Sequence, residues 1–392
     1  MKTTTIGEVG EIFDGPHATP TRQQTGKFFL NISSLKSGRL DLDVSDRVSD
    51  EDFQKWTRRV TPRVGDLLFS YETRLGEAAL MPAGIDACLG RRMALIRPDQ
   101  SSVDPRFLLY YWLSPPFQNE ISSRAVHGAT VSRILLSDLG QWSIRLPELS
   151  TQAAIGEVLG ALDDKIVANR AAISAGQKLI QTQWEQLSAS ADEVCDLNDV
   201  VDLNPRTPLP SEGPHPFLDM KELPQNGLLV DRWSERESRS GSKFRNGDTL
   251  LARITPCFEN GKVGLVDFLP PEVAGLGSTE YIVLRPKNRV PQAVPYCIAT
   301  SGSFRAHAAR GMTGTSGRQR VQASNIGDYP VGWPGQAALD RFGGFTDALI
   351  RRLSAARNEN TLLSRTRDEL LPLLMDGRIT VKDAERIAAD VL

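Results

Sequence analysis

A Ser-Pro-Pro-aromatic tetrapeptide, Ser114–Phe117, is the first stretch of the sequence whose residue types could do chemistry. In enzymes that methylate the exocyclic amine of adenine in DNA, an Asp, Asn or Ser before Pro-Pro and an aromatic residue forms the catalytic loop. The polar side chain and a proline carbonyl accept hydrogen bonds from the amine, and the ring stacks on the flipped base. The tetrapeptide by itself is therefore compatible with a DNA methyltransferase.

Such an enzyme also needs a glycine-rich cofactor loop, and the only candidate is AGLGSTE at 274–280. No aromatic residue precedes these glycines, and the following EYIVLRP predicts a strand where a helix should stand. YYWL before the tetrapeptide predicts the end of a helix, not a strand that would present a catalytic loop. We therefore interpret Ser114–Phe117 as a helix-breaking turn, with Pro115 and Pro116 ending one segment and Phe117 packing inward.

Two Gly/Thr/Ser-rich loops flanked by arginines offer a different chemistry. The first runs from Arg124 to Arg133 and the second from Arg310 to Arg320. Small donors and guanidinium forks suit phosphate oxygens and the O6/N7 edge of guanine. A solvated turn is the alternative for either loop alone, and the recurrence of the loop weakens that alternative.

The overall charge does not indicate a nucleic-acid binder, because the net charge is −2 and such proteins usually carry a basic excess. Net charge averages over faces, however. No acidic residue falls between Ser303 and Gly327, where four arginines occur, and a second basic cluster spans 236–245. Clusters of this size are also common on solvated surfaces.

Composition argues against several other classes. Apolar residues make up 40% and charged residues 24%, as in ordinary globular proteins. The four cysteines are scattered without a CxxC pair, so we expect free thiols in a reducing cytosol and no metal site. We expect no membrane span, since no run of 18 apolar residues occurs, and no secretory signal at the start of the chain.

The elements that must position the arginine loops occur twice along the chain. QAAIGEVLGALDDKI from Gln152 is repeated without a gap as QAALDRFGGFTDALI from Gln336. Before these segments, RVGDLLFSYE from Arg63 resembles RNGDTLLARI from Arg245, and GRRMALIRP resembles STEYIVLRP. The repeat is too long for a solenoid and indicates duplication of a whole domain-plus-helix unit.

Each repeat contains a long helical segment. Residues 152–187 lack proline and carry an apolar residue every seven positions, which predicts a heptad seam on a helix ~54 Å long. The segment 336–371 has a similar but less regular stripe, with Pro334 at its predicted start and with Pro372 and Gly377 at its predicted end.

The two seams are predicted to bury each other as an antiparallel pair, with Asn169 fixing the register. A seam used only for self-dimerisation is the competing interpretation. The residues predicted to form this interface are Leu159, Leu162, Ile166, Ile173, Ile180, Leu349, Leu353 and Leu363.

The remaining segments alternate short apolar strands with turns and have helical stretches near 104–125 and 291–308, which predicts mixed α/β (α+β) domains. The predicted fold is therefore two similar globular domains separated by two long antiparallel helices that form a coiled-coil spacer. In chain order the predicted segments are a first domain at 1–150, a helical region at 151–190, a second domain at 191–335, and a helical region with a C-terminal tail at 336–392.

With this order of elements, the chain resembles the specificity subunit of type I restriction–modification enzymes, in which two target recognition domains alternate with two long helical regions. The resemblance covers essentially the whole chain, although the second helical region lacks the LD.KI stretch of the first. It is carried by Gly65-Asp66, Gly247-Asp248, the loops ending at Arg133 and Arg320, LPELSTQAAI at 146–155, ALDDKIVANR at 161–170 and LLPLLMDGRI at 370–379.

The resemblance implies a division of labour. Each recognition domain would bind one half of a split DNA site, and the helices would hold the half-sites about one turn, ~34 Å, apart. Two modification subunits would carry adenine-N6 methylation with S-adenosylmethionine, and restriction subunits would add ATP- and Mg-dependent translocation and cleavage of double-stranded DNA. The chain itself would work in the cytoplasm, bind no cofactor or metal and supply specificity instead of catalysis.

Under this resemblance, arginine and lysine contacts to phosphate would supply most of the affinity, and a smaller set of side chains would contact base edges. The residues predicted to contact DNA are Arg74, Arg92, Arg124, Thr130, Arg133, Lys243, Arg253, Arg310, Thr315, Arg318 and Arg320.

Two alternatives stay open at this point. One is a stand-alone DNA-binding regulator or scaffold without a methyltransferase partner, which neighbouring reading frames would discriminate. The other is a self-contained adenine methyltransferase, which methyl transfer by the purified chain would reveal.

Overall fold

The protein is described by a computed structural model that covers residues 2–127, 131–209, 213–315 and 317–392. Its contacts divide the chain into two compact units, one made of Met1–Ile166 with Leu362–Leu392 and one made of Val167–Thr361. Each unit contains one α/β domain and part of each of two long helices. The segment boundaries predicted above follow chain order and stay a prediction.

The first domain is built mainly from short strands. Its described strands are β1 Lys2–Thr5, β2 Gly10–Asp14, β3 Lys27–Leu30, β4 Leu35–Lys36, β5 Arg39–Leu40, β6 Asp46–Val48, β7 Leu67–Ser70, β8 Ala78–Leu80, β9 Ala87–Leu89, β10 Met93–Pro98, β11 Val126–His127, β12 Ser132–Arg133 and β13 Ser143–Leu146. Its helices are α1 Ile6–Val9, α2 Asp50–Trp56, α3 Pro105–Leu113, α4 Pro115–Arg124 and α5 Leu136–Leu139.

The described part of this domain contains two larger sheets and three strand pairs, β1-β13, β4-β5 and β11-β12. An antiparallel sheet has the order β2-β10-β7-β8, and a second sheet has the order β6-β3-β9 with β3 and β9 parallel. The central strand β10 is almost entirely buried, and Leu95 lies opposite Phe13 on one side and Leu68 on the other. Strand β1 pairs with β13, so the first and last strands of the domain are neighbours.

A long helix, α6 Leu149–Ala189, leads from the first domain to the second. The described strands of the second domain are β14 Glu193–Asp196, β15 Val201–Leu203, β16 His215–Leu218, β17 Ser234–Arg236, β18 Ser242–Phe244, β19 Thr249–Ala252, β20 Val263–Leu265, β21 Gly275–Gly277, β22 Tyr281–Pro286 and β23 Pro330–Trp333. Its helices are α7 Leu197–Val200, α8 Ala293–Thr300 and α9 Gly302–Arg310.

The second domain repeats the topology of the first, with β18 as an additional strand in its second sheet. Its antiparallel sheet has the order β15-β22-β19-β20, and its second sheet has the order β17-β16-β21-β18 with β16 and β21 parallel. Strand β14 pairs with β23, as β1 pairs with β13. The mixed α/β fold with duplicated domains, predicted from the sequence repeat, is therefore confirmed.

The chain ends with two helices, α10 Gln336–Met375 and α11 Val381–Ala389. The prediction that Pro372 ends α10 was wrong, because the helix continues through Pro372 to Met375. Proline removes only one backbone donor there, and the buried neighbours Leu370 and Leu374 hold the last turn against the core. Gly377 follows two residues after the helix, and its φ of 67° allows a capping bond from Arg378 N–H back to the Leu373 carbonyl at 2.9 Å.

Within each unit, α6 and α10 pack antiparallel. In the first unit Leu159 and Leu162 of α6 share a buried core with Leu363 and Leu370 of α10. This core also contains Ala384 of α11, a helix that lies in the segment predicted only as a C-terminal tail.

In the second unit, the helix seam contains both apolar and polar contacts. Trp184 of α6 packs against Phe342 of α10 with ring centroids 5.7 Å apart. Near the other end of this segment, Asn169 Nδ2 donates to Glu359 Oε2 at 2.6 Å and to Asn360 Oδ1 at 3.1 Å. A buried asparagine with specific partners favours one register of the helix pair, as predicted for Asn169.

Candidate nucleic-acid interface

The tetrapeptide that suggested methylation is a junction between two helices. Ser114 is both the last cap of α3 and the first cap of α4, and Pro115 and Pro116 occupy the first turn of α4, where proline is favoured. Ser114 is 2% exposed and its hydroxyl donates to the Tyr111 carbonyl at 2.6 Å, so it has no access to a substrate. Phe117 is buried, as predicted.

The glycine-rich candidate for a cofactor loop is a strand. Gly275–Gly277 forms β21, whose backbone is hydrogen-bonded to β16 and β18. A Cβ atom at Gly275 would lie 2.4 Å from the Phe244 ring, and one at Gly277 would lie 2.7 Å from the Tyr281 ring. Aromatic packing therefore accounts for these two glycines without a phosphate-binding role.

The Gly-Asp motifs before β7 and β19 also have a structural role. In the first unit, Asp66 accepts hydrogen bonds from Arg97 Nε at 3.0 Å and Nη2 at 2.7 Å. In the second unit, Asp248 accepts from the same two atoms of Arg285, both at 2.7 Å. Each arginine belongs to the Arg-Pro that ends the central strand, so the motif and the strand end form one ion pair in both domains.

The candidate cations Arg74 and Arg92 of the first domain are held by acidic neighbours. Arg74 Nη2 lies 3.0 Å from Glu77 Oε1, and its Nη1 donates to the Ile32 carbonyl at 3.0 Å. Arg92 Nε lies 2.9 Å from Glu72 Oε1 as an ion pair without aligned hydrogen-bond geometry. Both side chains are part-exposed, so neither contact prevents them from reaching a ligand.

The arginine loop of the first domain begins at the end of α4. Arg124 Nη2 lies 3.0 Å from Glu120 Oε1, and its guanidinium lies 5.2 Å from the centre of the Trp142 ring. Arg133 is exposed on β12. Thr130 lies outside the described residues.

In the second domain, two candidate arginines share one carboxylate. Glu280 accepts from Arg253 Nε at 3.0 Å, and from Arg320 Nε and Nη2 at 3.0 and 2.8 Å. The hydrogen bonds from Arg320 are the largest cause that lowers the pKa of Glu280 below its usual 4.5, with Arg253 acting in the same direction. The carboxylate is therefore ionised at neutral pH and holds both guanidinium groups in fixed orientations.

An open groove of about 650 Å³ lies beside this cluster. Its lining includes Arg253 together with Lys243 of β18, which is also a candidate, and with Arg206, which sequence reasoning missed. The predicted cations Arg253 and Lys243 thus lie on one concave surface together with Arg206, which was not predicted. Arg206 stands in the turn-rich stretch after β15, where no sequence pattern singled it out.

The remaining candidates of the second domain lie on and after α9. Arg310 is exposed in the last turn of α9, with Nη2 3.5 Å from His307 Nδ1. Thr315 and Arg318 are exposed in the following loop, and the Arg318 carbonyl accepts from Arg320 Nη1 at 3.4 Å.

The two domains carry opposite charges at corresponding positions. Tyr71 N–H donates to the Arg92 carbonyl at 3.2 Å, and Arg253 N–H donates to the Glu280 carbonyl at 2.9 Å. Arg92 and Glu280 each stand one residue before the central strand of their sheet. Arg92 of the first domain thus corresponds to Glu280 of the second, and Tyr71 corresponds to Arg253. Burial and the nearby Asp14 carboxylate raise the pKa of Tyr71 to about 12, so Tyr71 is a neutral phenol.

The predicted interface residues of the helix seam face the interior of the units. Those in the first unit, Leu159, Leu162, Ile166 and Leu363, are at most 2% exposed. In the second unit Ile180 and Leu353 are buried, whereas Ile173 and Leu349 are only partly buried against the same core.

Sequence reasoning missed two long-range ion pairs, a partly buried one between the two helices of the first unit and a buried one between a helix and the domain of the second unit. In the first, Asp163 of α6 accepts from Arg367 Nη1 at 2.6 Å and from Tyr110 OH at 2.8 Å. In the second, Arg357 of α10 donates from Nη1 to Asp267 Oδ1 at 2.6 Å. Charged residues are rarely buried unless paired, and the partners stand far away in sequence, so no local pattern could reveal them.

Metal sites and membrane spans are two other features that the structure addresses. Across residues 2–127, 131–209, 213–315 and 317–392, no three His, Cys, Asp or Glu side chains are grouped so as to hold a metal ion. Within the same residues, no helix is long and apolar enough to cross a membrane.

Comparison with known proteins connects this geometry to one family. Residues 1–175 match the model of the type I restriction modification DNA specificity domain. The chain is 25% identical over 207 residues to the type I restriction enzyme EcoEI specificity subunit of Escherichia coli, covering 52% of the chain and 34% of that protein. It is 27% identical over 153 residues to the EcoAI specificity subunit of the same organism, covering 38% of the chain and 25% of that protein.

These matches span about a third or less of the curated relatives' own lengths. A solved structure extends the likeness in fold: the type I restriction-modification system S subunit from M. genitalium superimposes with a TM-score of 0.60 at 16% identity over 95% of both chains. The resemblance that the sequence indicated is therefore supported by both comparisons: residues 1–175 match the model of the type I restriction modification DNA specificity domain, and the chain shares the fold of a solved type I S subunit.

Proposed function

We propose that this chain is the DNA-recognition subunit of a type I restriction–modification complex, that it binds a bipartite site, and that partner subunits act there on adenine. The observation that carries the proposal is the duplicated domain with a different charged cluster at the same place in each copy. Two domains of one architecture but unlike surfaces suit two unlike half-sites.

The arginines and lysines of both domains would supply affinity through phosphate contacts, as in the interpretation of Arg124, Arg133, Arg310 and Arg318 above. Removing one phosphate-binding cation would reduce the slope of log affinity against log salt concentration by about 0.9. The helices α6 and α10, each about 60 Å long at ~1.5 Å per residue, would set the distance between the two half-sites.

The chemistry would belong to partner subunits. Two modification subunits would dock on the helical pair and bring S-adenosylmethionine, and restriction subunits would bring ATP and Mg. The buried hydroxyl of Ser114 supports this assignment, because the Ser114–Phe117 stretch then does not act as a catalytic loop of the adenine methyltransferase kind. The complex would act on DNA in the cytoplasm.

The test is to express the chain with its neighbouring modification subunit in a host that lacks adenine methylation, and then to map methyladenine across the genome. The expected result is one bipartite motif with a spacer of constant length, which disappears when this chain is omitted. Specific DNA binding by the chain without any methylation partner would favour a stand-alone regulator. Methylation by the purified chain alone would favour a self-contained methyltransferase.

A further inference from the structure

We infer that the groove of the second domain is a guanine-recognition site in which Glu280 positions the fork of Arg253, an inference that rests on the proposed function. The groove is lined by residues of the loop after β15, of β18, of the end of β19 and of β22. Neither Glu280 nor the groove was singled out by the sequence.

The charge of the groove defines the class of ligand. Among its described lining residues are three cations, Arg206, Lys243 and Arg253, and no carboxylate. The acid that balances Arg253 does not line the groove. The groove therefore favours a phosphate or an electronegative base edge and disfavours a cationic or apolar ligand.

The geometry of Arg253 indicates that its ligand is a base edge and not a phosphate. Its Nε is bound to Glu280, and within the described part of the chain its two terminal nitrogens have no hydrogen-bond partner. A guanidinium fixed through Nε presents those two terminal nitrogens as a planar fork, which matches the O6 and N7 acceptors of guanine. Phosphate contacts need charge but no fixed fork, so Lys243 and Arg206 are suited to them.

Glu280 acts as a positioning residue. Its carboxylate accepts from both Arg253 and Arg320, and its side chain is 21% exposed. Two guanidinium groups on one carboxylate restrict each other's rotamers, so Arg253 does not have to be ordered by the DNA. Such preorganisation favours specificity for one base over general affinity.

The first domain has no equivalent site among its described residues. Tyr71 stands where Arg253 stands, and Arg92 stands where Glu280 stands. The first domain also has no described strand in the place of β18, which carries Lys243. The guanine contact should therefore belong to one half-site only.

The first experiment maps methyladenine for complexes that contain the full chain as wild type, Arg253→Lys, Arg253→Ala or Glu280→Gln. With Arg253→Lys, which keeps the charge but loses the fork, one guanine of the second domain's half-site should become degenerate while methylation continues. Arg253→Ala and Glu280→Gln should relax the same position, and the other half-site should stay unchanged. The control is Arg289→Ala, which removes an exposed arginine that lies outside the groove and 3.7 Å from Asp340.

The second experiment measures binding of the complex to a duplex with 7-deazaguanine at that position, which lacks the N7 acceptor. Wild type should lose affinity roughly ten- to hundredfold, whereas Arg253→Ala should bind both duplexes alike. This result does not depend on how much each variant weakens binding overall.

The outcomes separate the two proposals. If the wild-type complex methylates no bipartite motif, the proposed function fails and the groove assignment fails with it. If wild type has such a motif and Arg253→Lys keeps it unchanged, the guanine assignment alone is wrong, and a uniform loss of affinity in Arg253→Ala would make the groove a phosphate site. Relaxation of both half-sites by Glu280→Gln would also overturn the assignment.

Discussion

At the scale of single residues, the same Asp–Arg pair stabilises both domains. Asp66 and Asp248 each accept a hydrogen bond from the backbone N–H three residues earlier, at 2.8 Å, in addition to the bonds from the strand-end arginine. The preceding glycines have φ of 85° and 87°, a conformation that glycine adopts without a steric penalty. Turn, strand and ion pair thus depend on each other.

The two pairs differ in burial, which gives a matched comparison. Arg285 is 10% exposed, so Asp248→Asn leaves a buried charge without its partner and should cost about 3–5 kcal/mol of unfolding free energy. Arg97 is 24% exposed, and water can partly replace Asp66, so Asp66→Asn should cost less, about 1–3 kcal/mol. Urea denaturation followed by hydrogen exchange in peptides of each domain measures both values, and equal costs would contradict the argument.

A pH prediction follows from the Glu280 cluster. Because the pKa of Glu280 is lowered in the folded state, its ion pairs contribute fully above pH 4.5 and weaken as pH falls through the lower folded value. Recognition by the second domain should therefore not change between pH 8 and pH 6 through this group. The prediction is contradicted if wild type recognises its motif less faithfully at pH 6 than at pH 8 and the Glu280→Gln variant shows no such pH dependence. The carboxylate would then titrate in this range.

At the scale of elements, the close packing of α6 against α10 in the second unit depends on Gly176, which lies beneath the Leu353 side chain. A Cβ atom at Gly176 would lie 2.8 Å from Leu353 Cδ2 and 3.3 Å from its Cγ. The glycine thus lets the Leu353 side chain reach the surface of α6, although glycine is a poor helix former.

Enlarging this position should separate the helices locally. Gly176→Leu should destabilise the second unit by about 1–3 kcal/mol through overpacking. Combined with Leu353→Ala, it should cost less than the sum of the two single changes, because the second change opens the space that the first fills. A double-mutant cycle from thermal unfolding checks this, and strict additivity would mean that the two residues do not share that space.

Much of the element order was predictable from the sequence, for local reasons. The heptad spacing predicted a helix at 152–187, and α6 covers Leu149–Ala189. MALIRP was predicted as a strand and is β10. In contrast, the end of α10 depended on burial beyond Pro372, and the helix α11 depended on packing against distant core residues, which no local pattern contains.

The candidate site was only partly predictable for the same reason. The arginine-rich loop of the second domain drew attention to Arg320, and Arg253 was named as a further cation of that domain. That one carboxylate, Glu280, holds both arginines is a consequence of three chain segments meeting, and the sequence spacing between these residues carries no sign of it. The buried pair of Arg357 and Asp267 was hidden in the same way.

At the scale of the whole molecule, each globular domain begins and ends with strands that pair with each other. Glu193 lies opposite Trp333 in the pair of β14 and β23, and Lys2 lies opposite Leu146 in the pair of β1 and β13. The ends of each domain are therefore close together and adjacent to a helix, whatever lies between them.

Exchanging the segment between β14 and β23 for that of a relative should change only one half of the methylated motif. The retained strand pair fixes the ends of the new domain, and the relative is chosen to keep an acidic residue in the place of Asp267, because Arg357 of α10 is buried against it. Methyladenine mapping measures the outcome, and the reciprocal exchange between β1 and β13 is the control. A change in both halves would contradict independent recognition by the two domains.

The paired terminal strands have a consequence for the evolution of such genes. Recombination at the codons for β1, β13, β14 or β23 delivers a domain whose ends already fit, so first and second domains can be inherited independently. Under the proposed function, the number of target sequences available to a population would then grow as the product of the two repertoires.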